Sequence, residues 1–298
     1  MNKLRRIASF LNAHPLAKRH KLRAYYNVIT WQLSQLLLPH EAALRFIGPT
    51  KLKAIKGLTG ATGNIYAGLE DFYDMGFLLH FLREGDVFAD IGSNIGSYSV
   101  LASGCCRAKT IAFEPISSSF SWLLKNIELN NLQGLITPFN MGIGSSTTEL
   151  YFTAEYGTVN HVVADNEIVN ENNILKVPVS SFDDISLTTG FPQLIKIDVE
   201  GFETEVIRGM KNTLQSDELK AIIIELNGSA CRYGWDESLI HQHLLENHYF
   251  PYAYNPLRRE LTFLQEFGSI NTIYIRDLDF VKDRVNSAKN FTVFSESF

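Results

Sequence analysis

Short apolar runs alternate with segments of helical periodicity from Val87 onward in this 298-residue chain. Such alternation is typical of βαβ units, in which crossover helices join parallel strands. The pattern predicts strands at Val87–Ile91, Thr110–Phe113, Leu135–Asn140, Leu194–Asp198 and Ala221–Leu226. It predicts helices at Ser97–Ser103, Ser119–Asn130, Glu203–Lys211 and Glu237–Asn247. We therefore expect an α/β fold with a doubly wound, mostly parallel sheet.

Two further strands are predicted near the C-terminus, at Tyr249–Tyr254 and Thr272–Ile275. No helix is evident between them, so we expect antiparallel pairing. The sheet is thus predicted to be Rossmann-like and seven-stranded, with an antiparallel closing strand. A long segment, Gly142–Pro192, separates the third and fourth strands and has strand-like pieces at Glu149–Thr153 and Leu175–Ser180. A loop of this length inside a compact domain is more often functional than idle.

The segment before residue 66 has a helical pattern. Apolar residues recur there at the spacings of three and four that predict helices over most of residues 4–47. Among them are Ile29, Leu33, Leu36 and Leu37. We therefore divide the chain into an N-terminal helical extension, residues 1–65, and an α/β domain, residues 66–298.

Charge is distributed unevenly between the two ends of the chain. Residues 1–60 carry eleven Lys and Arg and one acid, Glu41, for a net charge of +10. Residues 61–298 hold the other 16 bases and 31 acids, for a net charge of −15. Such opposition can mark a basic arm that contacts an anionic surface, either a membrane or a nucleic acid. The alternative is an ordinary solvated helix face.

Composition and segment lengths limit the cellular setting. A hydrophobic fraction of 45% with 20% charged residues excludes disordered and fibrous classes. No apolar stretch reaches the ~18 residues of a spanning helix, and the first ten residues lack the apolar core of a secretion signal. Three cysteines cannot form a disulfide framework. We expect a cytoplasmic protein, with residues 1–60 available for peripheral contact with an anionic membrane.

A glycine-containing loop, Asp90-Ile-Gly-Ser-Asn-Ile-Gly96, follows the first predicted strand and opens a helix. Ligands of doubly wound sheets bind at such a place, outside the carboxyl end of a strand. A dinucleotide fingerprint would need glycines where Asn94 and Ser97 stand, and no Gly-Lys-Ser/Thr of a P-loop follows. A nucleoside without phosphates is the ligand that this loop favours. Its candidate contacts are Asp90, Gly92, Ser93, Asn94 and Gly96.

Two acids at strand ends fit a nucleoside that carries an amino acid group. Glu114 closes the second strand, before Pro115, where an acid accepts hydrogen bonds from ribose hydroxyls in doubly wound sites. Asp90 can hold a cationic amino group through the loop or a water. The phosphate-free nucleoside with such a group is S-adenosylmethionine. Alternatively, Asp90 only caps the following helix and Glu114 is a surface acid before a turn.

Four segments together carry a family resemblance: Asp90-Ile-Gly-Ser-Asn-Ile-Gly-Ser-Tyr-Ser99, Ala112-Phe-Glu-Pro115, Leu123-Leu-Lys-Asn-Ile-Glu-Leu-Asn130 and Leu194-Ile-Lys-Ile-Asp-Val-Glu-Gly201. They resemble the FkbM-type S-adenosylmethionine-dependent methyltransferases, and the last segment is the most specific. Small departures are Ser93, where the family often has Ala, and Phe182, where Leu is common. The resemblance implies a class I methyltransferase fold for residues 66–298 and O-methylation of sugars or natural-product scaffolds.

The fourth strand supplies the candidate catalytic residues. Lys196 and Asp198 are two apart on a strand and therefore share a face, and Glu200 lies in the turn beyond. Methyl transfer to a hydroxyl needs a base that takes the acceptor proton. We expect Asp198 and Glu200 to organise the acceptor hydroxyl or the sulfonium end of the cofactor, with one of them or Lys196 as base. The alternative is that Lys196 and Asp198 form a structural ion pair.

Three more residues are candidates for contact with the cofactor or the acceptor, and each has a structural alternative or an interpretation without a functional role. Met141 resembles the family's segment near the adenine ring, or is a core residue before a turn. Glu225, at the end of the fifth strand, could contact the acceptor, or be a surface acid. His161, in the long insertion, could face a sugar acceptor, although a lone loop histidine more often has no such role.

The leading interpretation is an S-adenosylmethionine-dependent O-methyltransferase that acts on a sugar, glycolipid or polyhydroxylated metabolite. A nucleic-acid methyltransferase is one alternative, disfavoured because the acidic region would repel phosphates. A non-catalytic cofactor-binding module that works through its basic arm is another. No metal is expected, since His241 and His243 are two apart on a predicted helix and do not share a face.

Overall fold

A computed structural model describes residues 3–37, 41–55, 58–154, 160–164, 167–170, 173–268 and 270–298. The helices are α1 Lys3–Ala13, α2 Lys21–Leu37, α3 Thr59–Ala67, α4 Phe72–Phe81, α5 Ser97–Cys106, α6 Ser117–Leu129, α7 Phe182–Thr189, α8 Glu203–Arg208, α9 Lys211–Gln215, α10 Glu237–Glu246 and α11 Leu278–Asn286. The strands are β1 Ala42–Arg45, β2 Lys51–Ala54, β3 Val87–Ile91, β4 Lys109–Phe113, β5 Ile136–Phe139, β6 Gly142–Gly144, β7 Thr148–Thr153, β8 Ile174–Ser181, β9 Leu194–Ile197, β10 Ala221–Glu225, β11 Phe250–Asn255, β12 Glu260–Phe263, β13 Asn271–Ile275, β14 Thr292–Val293 and β15 Glu296–Ser297.

The main sheet confirms the doubly wound α/β prediction. Its strand order is β12-β11-β13-β10-β9-β3-β4-β5, and the five strands from β10 to β5 are parallel. The chain runs outward from β3 to β4 and β5, then returns to β9 on the other side of β3. This reversal creates a topological switch point between β3 and β9, where open α/β sheets bind their ligands.

The sheet has eight strands where seven were predicted. The two closing strands do pair antiparallel, as β11 with β13, and β13 also pairs antiparallel with β10. The additional strand, β12, forms a hairpin with β11 at the sheet edge. Its sequence Glu-Leu-Thr-Phe alternates polar and apolar residues over only four positions and is largely exposed. So short an alternation is a weak strand signal, and the hairpin with β11 supplies its hydrogen bonds.

Apolar side chains cover both faces of the central strand. Phe88 of β3 packs into one core cluster with α4 and α5, whereas Ala89 and Ile91 pack into a second cluster on the opposite face. Burial on both faces explains why apolar residues stand at consecutive positions of β3, in Val87, Phe88 and Ala89, without alternation. The ends of β3 and β9 are therefore held on a rigid, doubly covered sheet.

The N-terminal segment is less helical than predicted. Residues 42–54 form the antiparallel hairpin β1–β2, although helix was expected as far as residue 47. Side chains of α6 hold this hairpin, because Asn126 Oδ1 accepts a 2.7 Å hydrogen bond from the Lys53 amide and Asn130 Oδ1 accepts one of 2.8 Å from the Lys51 amide. The strand conformation thus depends on distant partners that local periodicity does not reveal.

The insertion between β5 and β9 forms its own small sheet. Its strands β6, β8 and β7 lie in that order, and both predicted strand pieces are present within β7 and β8. Residues 155–159, 165–166 and 171–172 of the insertion lie outside the described residues. Among the helices that are described, none has the length and apolarity needed to cross a bilayer.

Candidate active site

The loop after β3 is brought against the end of β9. Gly92 has a φ of +81°, and a Cβ placed on it would lie 1.8 Å from the Asp198 carbonyl oxygen. Only glycine fits such an approach in such a conformation. Asn94 and Gly96 also have positive φ values, 52° and 86°, which turn the chain into α5. Four of the predicted loop residues line one cavity at the switch point together with Asp198, and they are Asp90, Gly92, Ser93 and Asn94; Gly96 is not among the lining residues.

Glu114 ends β4 as predicted, and it is a buried acid with structural partners. Its two carboxylate oxygens each accept a 2.9 Å hydrogen bond, from the amides of Asn94 and Ile116. Burial raises the pKa of Glu114 to about 7. The side chain lines the cavity beside Pro115. Since each carboxylate oxygen has a second lone pair, Glu114 can also accept hydrogen bonds from hydroxyls of a ligand.

Asp90 is buried in β3 and is only partly satisfied. Its Oδ2 accepts a 2.6 Å hydrogen bond from Ser99 Oγ, whereas its Oδ1 has no partner within the described part of the chain. The Oγ of Ser93, also buried in the loop, likewise lacks one there. Ser99 lies in the first turn of α5, so Asp90 also contacts the start of that helix, as the alternative proposed. Buried polar atoms without partners at a cavity fit a site that a polar ligand completes.

Lys196 and Asp198 form the ion pair that one interpretation proposed. Lys196 Nζ donates a 2.7 Å hydrogen bond to Asp198 Oδ2 and lies 4.8 Å from the centre of the Tyr98 ring. Burial alone would lower the pKa of Lys196, but the carboxylates of Asp198 and Asp90 together raise it above its ordinary value. Burial would likewise raise the pKa of Asp198, but Lys196 holds it low. Lys196 is thus a buried cation at neutral pH.

Three carboxylates meet beyond this pair. Oxygens of Asp198, Glu200 and Glu225 all lie within 4.8 Å of one another. Burial first, and then the negative charge of Asp198, raise the pKa of Glu200 to about 7 and that of Glu225 to about 9. Glu225 is therefore protonated at neutral pH, while Glu200 titrates near it. Oxygens this close could also surround a cation, so the absence of a metal stays a prediction.

Met141 and His161 differ in their relation to the cavity. Met141 lines it, next to the small sheet of the insertion. His161 is not among the lining residues, although its neighbours Asn160 and Val162 are. The Nε2 atom of His161 lies 2.9 Å from a carboxylate oxygen of Glu167. The structure thus brings the predicted site residues to one cavity with the exceptions of His161 and Gly96, and Gly96 packs against Leu123 instead.

Sequence reasoning missed an acidic wall contributed by the segment before α4. Glu70 and Asp71 line the cavity, and Asp71 Oδ2 accepts a 3.0 Å hydrogen bond from the Tyr98 hydroxyl. Asp74 follows in α4 and accepts one of 3.0 Å from Asn271 Nδ2. Burial raises the pKa of Glu70 to about 8 and that of Asp74 to about 7. The available signal was three acids within and just before a mostly apolar helix, since acids that are buried by their apolar neighbours often belong to a functional site.

The cavity has a volume of about 280 Å³ and a strongly acidic lining. Its described lining contains one lysine, Lys196. Against it stand seven carboxyl groups, those of Glu70, Asp71, Asp90, Glu114, Asp198, Glu200 and Glu225. Such a lining suits a cationic or neutral polar ligand and repels an anionic one.

Comparison with known proteins gives the site a context. The model of the methyltransferase FkbM domain matches residues 86–270. Hexuronic acid methyltransferase AglP of Haloferax volcanii is 32% identical over 152 residues, which are 50% of this chain and 59% of AglP. Methyltransferase 1 of Beauveria bassiana is 27% identical over 174 residues, which are 51% of this chain and 68% of that protein.

A solved structure is also similar. It is methyltransferase FkbM from Methylobacillus flagellatus, 16% identical, with a TM-score of 0.44, and the match covers 72% of this chain and 52% of that one. The match thus spans little more than half the length of AglP and of this solved protein.

Proposed function

The chain belongs to the FkbM methyltransferase family, and on that premise we propose that it transfers a methyl group from S-adenosylmethionine to a hydroxyl of a sugar. The observation that carries the proposal is the cavity that joins Gly92, Ser93 and Asn94 of the loop to the carboxylates of Asp198, Glu200 and Glu225. The name of AglP, a hexuronic acid methyltransferase, supports a sugar as the class of acceptor.

The cofactor end of the cavity is formed by β3, β4 and the loop between β3 and α5. Glu114 accepts hydrogen bonds from the two ribose hydroxyls, and the free Oδ1 of Asp90 receives the cationic amino group, directly or through water. Met141 packs against the adenine ring. S-adenosylmethionine, when bound, supplies an activated methyl group on a sulfonium centre.

Glu200 is our assignment for the base. Its pKa of about 7 is matched to a neutral medium, which favours removal of a hydroxyl proton. Lys196 is unsuited to that role because its neighbours hold it protonated. Asp198, fixed by Lys196, orients the acceptor, and protonated Glu225 donates a hydrogen bond to Asp198.

The charge of the cavity also limits the acceptor. Five lining carboxyl groups stand outside the cofactor contacts, those of Glu70, Asp71, Asp198, Glu200 and Glu225. Glu70 and Glu225 are protonated at neutral pH, and Lys196, the one lysine of the described lining, is already paired with Asp198. A carboxylate on the acceptor ring would therefore be desolvated beside Asp198 without a counter-charge of its own. We therefore propose a sugar ring without a carboxylate, in contrast to the hexuronic acid in the name of AglP. The same charges disfavour a nucleic-acid acceptor.

A matched acceptor panel tests the proposal. Purified protein is incubated with S-adenosylmethionine and either neutral methyl glycosides or the corresponding glycuronides, and S-adenosylhomocysteine formation is measured. We expect turnover of a neutral glycoside with kcat/KM at least about tenfold above that of its glycuronide. Equal rates would refute the charge argument alone. If calorimetry shows cofactor binding but no hydroxyl compound is methylated, the proposed activity on sugars is refuted. Methylation of RNA would instead support the alternative of a nucleic-acid methyltransferase.

A further inference from the structure

Helix α2 has two apolar faces, and only one of them is covered. The inner face consists of Ala24, Val28, Trp31 and Gln35, all buried. The opposite side carries an exposed set that we call the outer stripe: Leu22, Tyr25, Tyr26, Ile29, Leu33, Leu36 and Leu37. Exposed fractions within the stripe run from 36% for Tyr25 to 91% for Leu22. At 100° per residue, the two sets lie on opposite sides of the helix.

Specific contacts fix which face points inward. Asn27 Nδ2 donates a 3.1 Å hydrogen bond to the Ile65 carbonyl of α3, and Gln32 Nε2 donates one of 2.6 Å to the Tyr66 hydroxyl. Trp31 is buried in a cluster that also contains residues of α3. The outer stripe therefore cannot turn into the core without breaking this docking. A continuous apolar surface of this kind marks an interaction site.

The surroundings of the stripe are basic. Residues 3–37 contain seven Lys and Arg and no Asp or Glu. Lys18, just before α2, and Lys21 and Arg23, in its first turn, are exposed. The Arg23 guanidinium lies 5.5 Å from the centre of the Tyr26 ring, at the edge of the stripe. An apolar stripe with basic residues beside it is the arrangement of helices that lie in the plane of a membrane surface. A second copy of the chain would instead bring two sets of like charges together.

We propose that α2 docks this protein on a membrane that contains anionic lipid, with the outer stripe in the boundary between headgroups and acyl chains. The basic residues at the start of α2 contact the lipid phosphates, since each such residue near an anionic surface adds to the attraction. The proposal concerns α2 alone and does not depend on the proposed reaction.

Membrane docking through α2 would also position the active site. Helix α3 packs on the inner face of α2, and its residues Gly60 and Asn64 line the cavity. Within the described residues, α3 thus contacts both the membrane-bound helix and the cavity.

Vesicle flotation tests the docking. The full chain is mixed with vesicles of phosphatidylcholine alone or of phosphatidylcholine and phosphatidylglycerol in equal amounts, and the bound fraction is measured over a range of salt. We expect binding to the anionic vesicles that weakens as salt increases. The variant Ile29→Ser/Leu33→Ser/Leu36→Ser should bind at least about tenfold more weakly, since it loses apolar area that the membrane would bury.

Matched controls separate the stripe from general apolar exposure. Leu187 and Leu239 are exposed at 82% and 61%, far along the chain from α2, so Leu187→Ser/Leu239→Ser should bind as the unmodified protein does. The variant Lys18→Gln/Lys21→Gln/Arg23→Gln should lose the preference for anionic vesicles. Thermal melting of each variant verifies the fold. Equal binding by the stripe variant, or no binding by the unmodified chain, would overturn the proposal, as would a dimer in light scattering that the stripe variant abolishes.

Discussion

Lys196 and Asp198 are two residues apart and are joined by a 2.7 Å hydrogen bond from Nζ to Oδ2. Both side chains emerge on the same face at the end of β9. In the parallel pairing of β3 with β9, Asp90 is the residue beside Lys196. One lysine therefore compensates several carboxylates, because Asp198, Asp90 and Asp71 all act on it. The fold of the switch point and the charge of the site depend on the same residue.

Replacement of that lysine should damage both stability and activity. In Lys196→Met, Asp198 and Asp90 lose their counter-charge, and we expect the free energy of unfolding to fall by about 3 kcal/mol, as when a buried pair loses one partner. The double variant Lys196→Met/Asp198→Asn should recover part of that loss in urea titration without recovering methyl transfer. A single variant as stable and active as the unmodified protein would contradict the role assigned to the pair.

The rate should depend on pH through Glu200. With its pKa raised to about 7, Glu200 is protonated below that pH and can accept a proton only above it. We therefore expect kcat/KM to rise about tenfold per unit as the pH approaches 7 from below, and to level above it. Glu200→Gln should be slow at every pH, with its affinity for S-adenosylhomocysteine unchanged. Glu246→Gln, on exposed α10, is the control; an unaltered profile in Glu200→Gln would move the base to Asp198.

Glu114 should govern cofactor affinity. The variant Glu114→Gln has one acceptor oxygen instead of two and no charge, so hydrogen bonds to the ribose hydroxyls weaken. Loss of a hydrogen bond to a charged group costs about 2 kcal/mol, which corresponds to a roughly thirtyfold larger Kd. Calorimetric titration with S-adenosylhomocysteine measures this, with exposed Glu128→Gln as the matched control. A Kd equal to that of the unmodified protein would rule out the ribose contact, and binding of NAD would refute the choice of ligand.

Stability should also depend on pH, through Glu203. Burial raises the pKa of Glu203 to about 7, while an unfolded glutamate titrates near ~4.3. The folded state thus binds this proton more strongly, so its contribution to stability is present below about pH 4 and is lost as the pH rises through about 7. Glu203→Gln should match the unmodified protein in Tm at low pH and exceed it at about pH 8. Exposed Glu84→Gln should show no such divergence from the unmodified protein at high pH. If the Tm of Glu203→Gln differs from that of the unmodified protein by the same amount at every pH, Glu203 does not have the raised pKa.

Local patterns were sufficient for much of the fold and for the cofactor loop. The consecutive apolar residues at the start of β3 and the glycines after it identify a buried strand that turns directly into a helix. Glu114 could be placed because it closes the next strand. These features are predictable because a buried strand requires apolar residues and a positive φ favours glycine in any α/β sheet. Both requirements show in residues that are neighbours in the sequence.

Other features depended on contacts between distant segments. The apolar residues of α2 predict a helix, but which of its two apolar faces is buried follows only from docking on α3 through Asn27 and Gln32. The hairpin β1–β2 exists because α6 supplies amide side chains to its backbone. Periodicity reports the shape of an element and carries no information about its partner.

The sequence by itself therefore determined the α/β architecture, the cofactor loop and the acids at the strand ends. Only the tertiary structure decided that Glu70 and Asp71 would line the same cavity as Asp198, and that Lys196 would act on both Asp71 and Asp198. It also decided that His161 would not line that cavity. The physical reason is that electrostatic interactions depend on distance and burial in space, and the chain brings these groups together from segments more than one hundred residues apart.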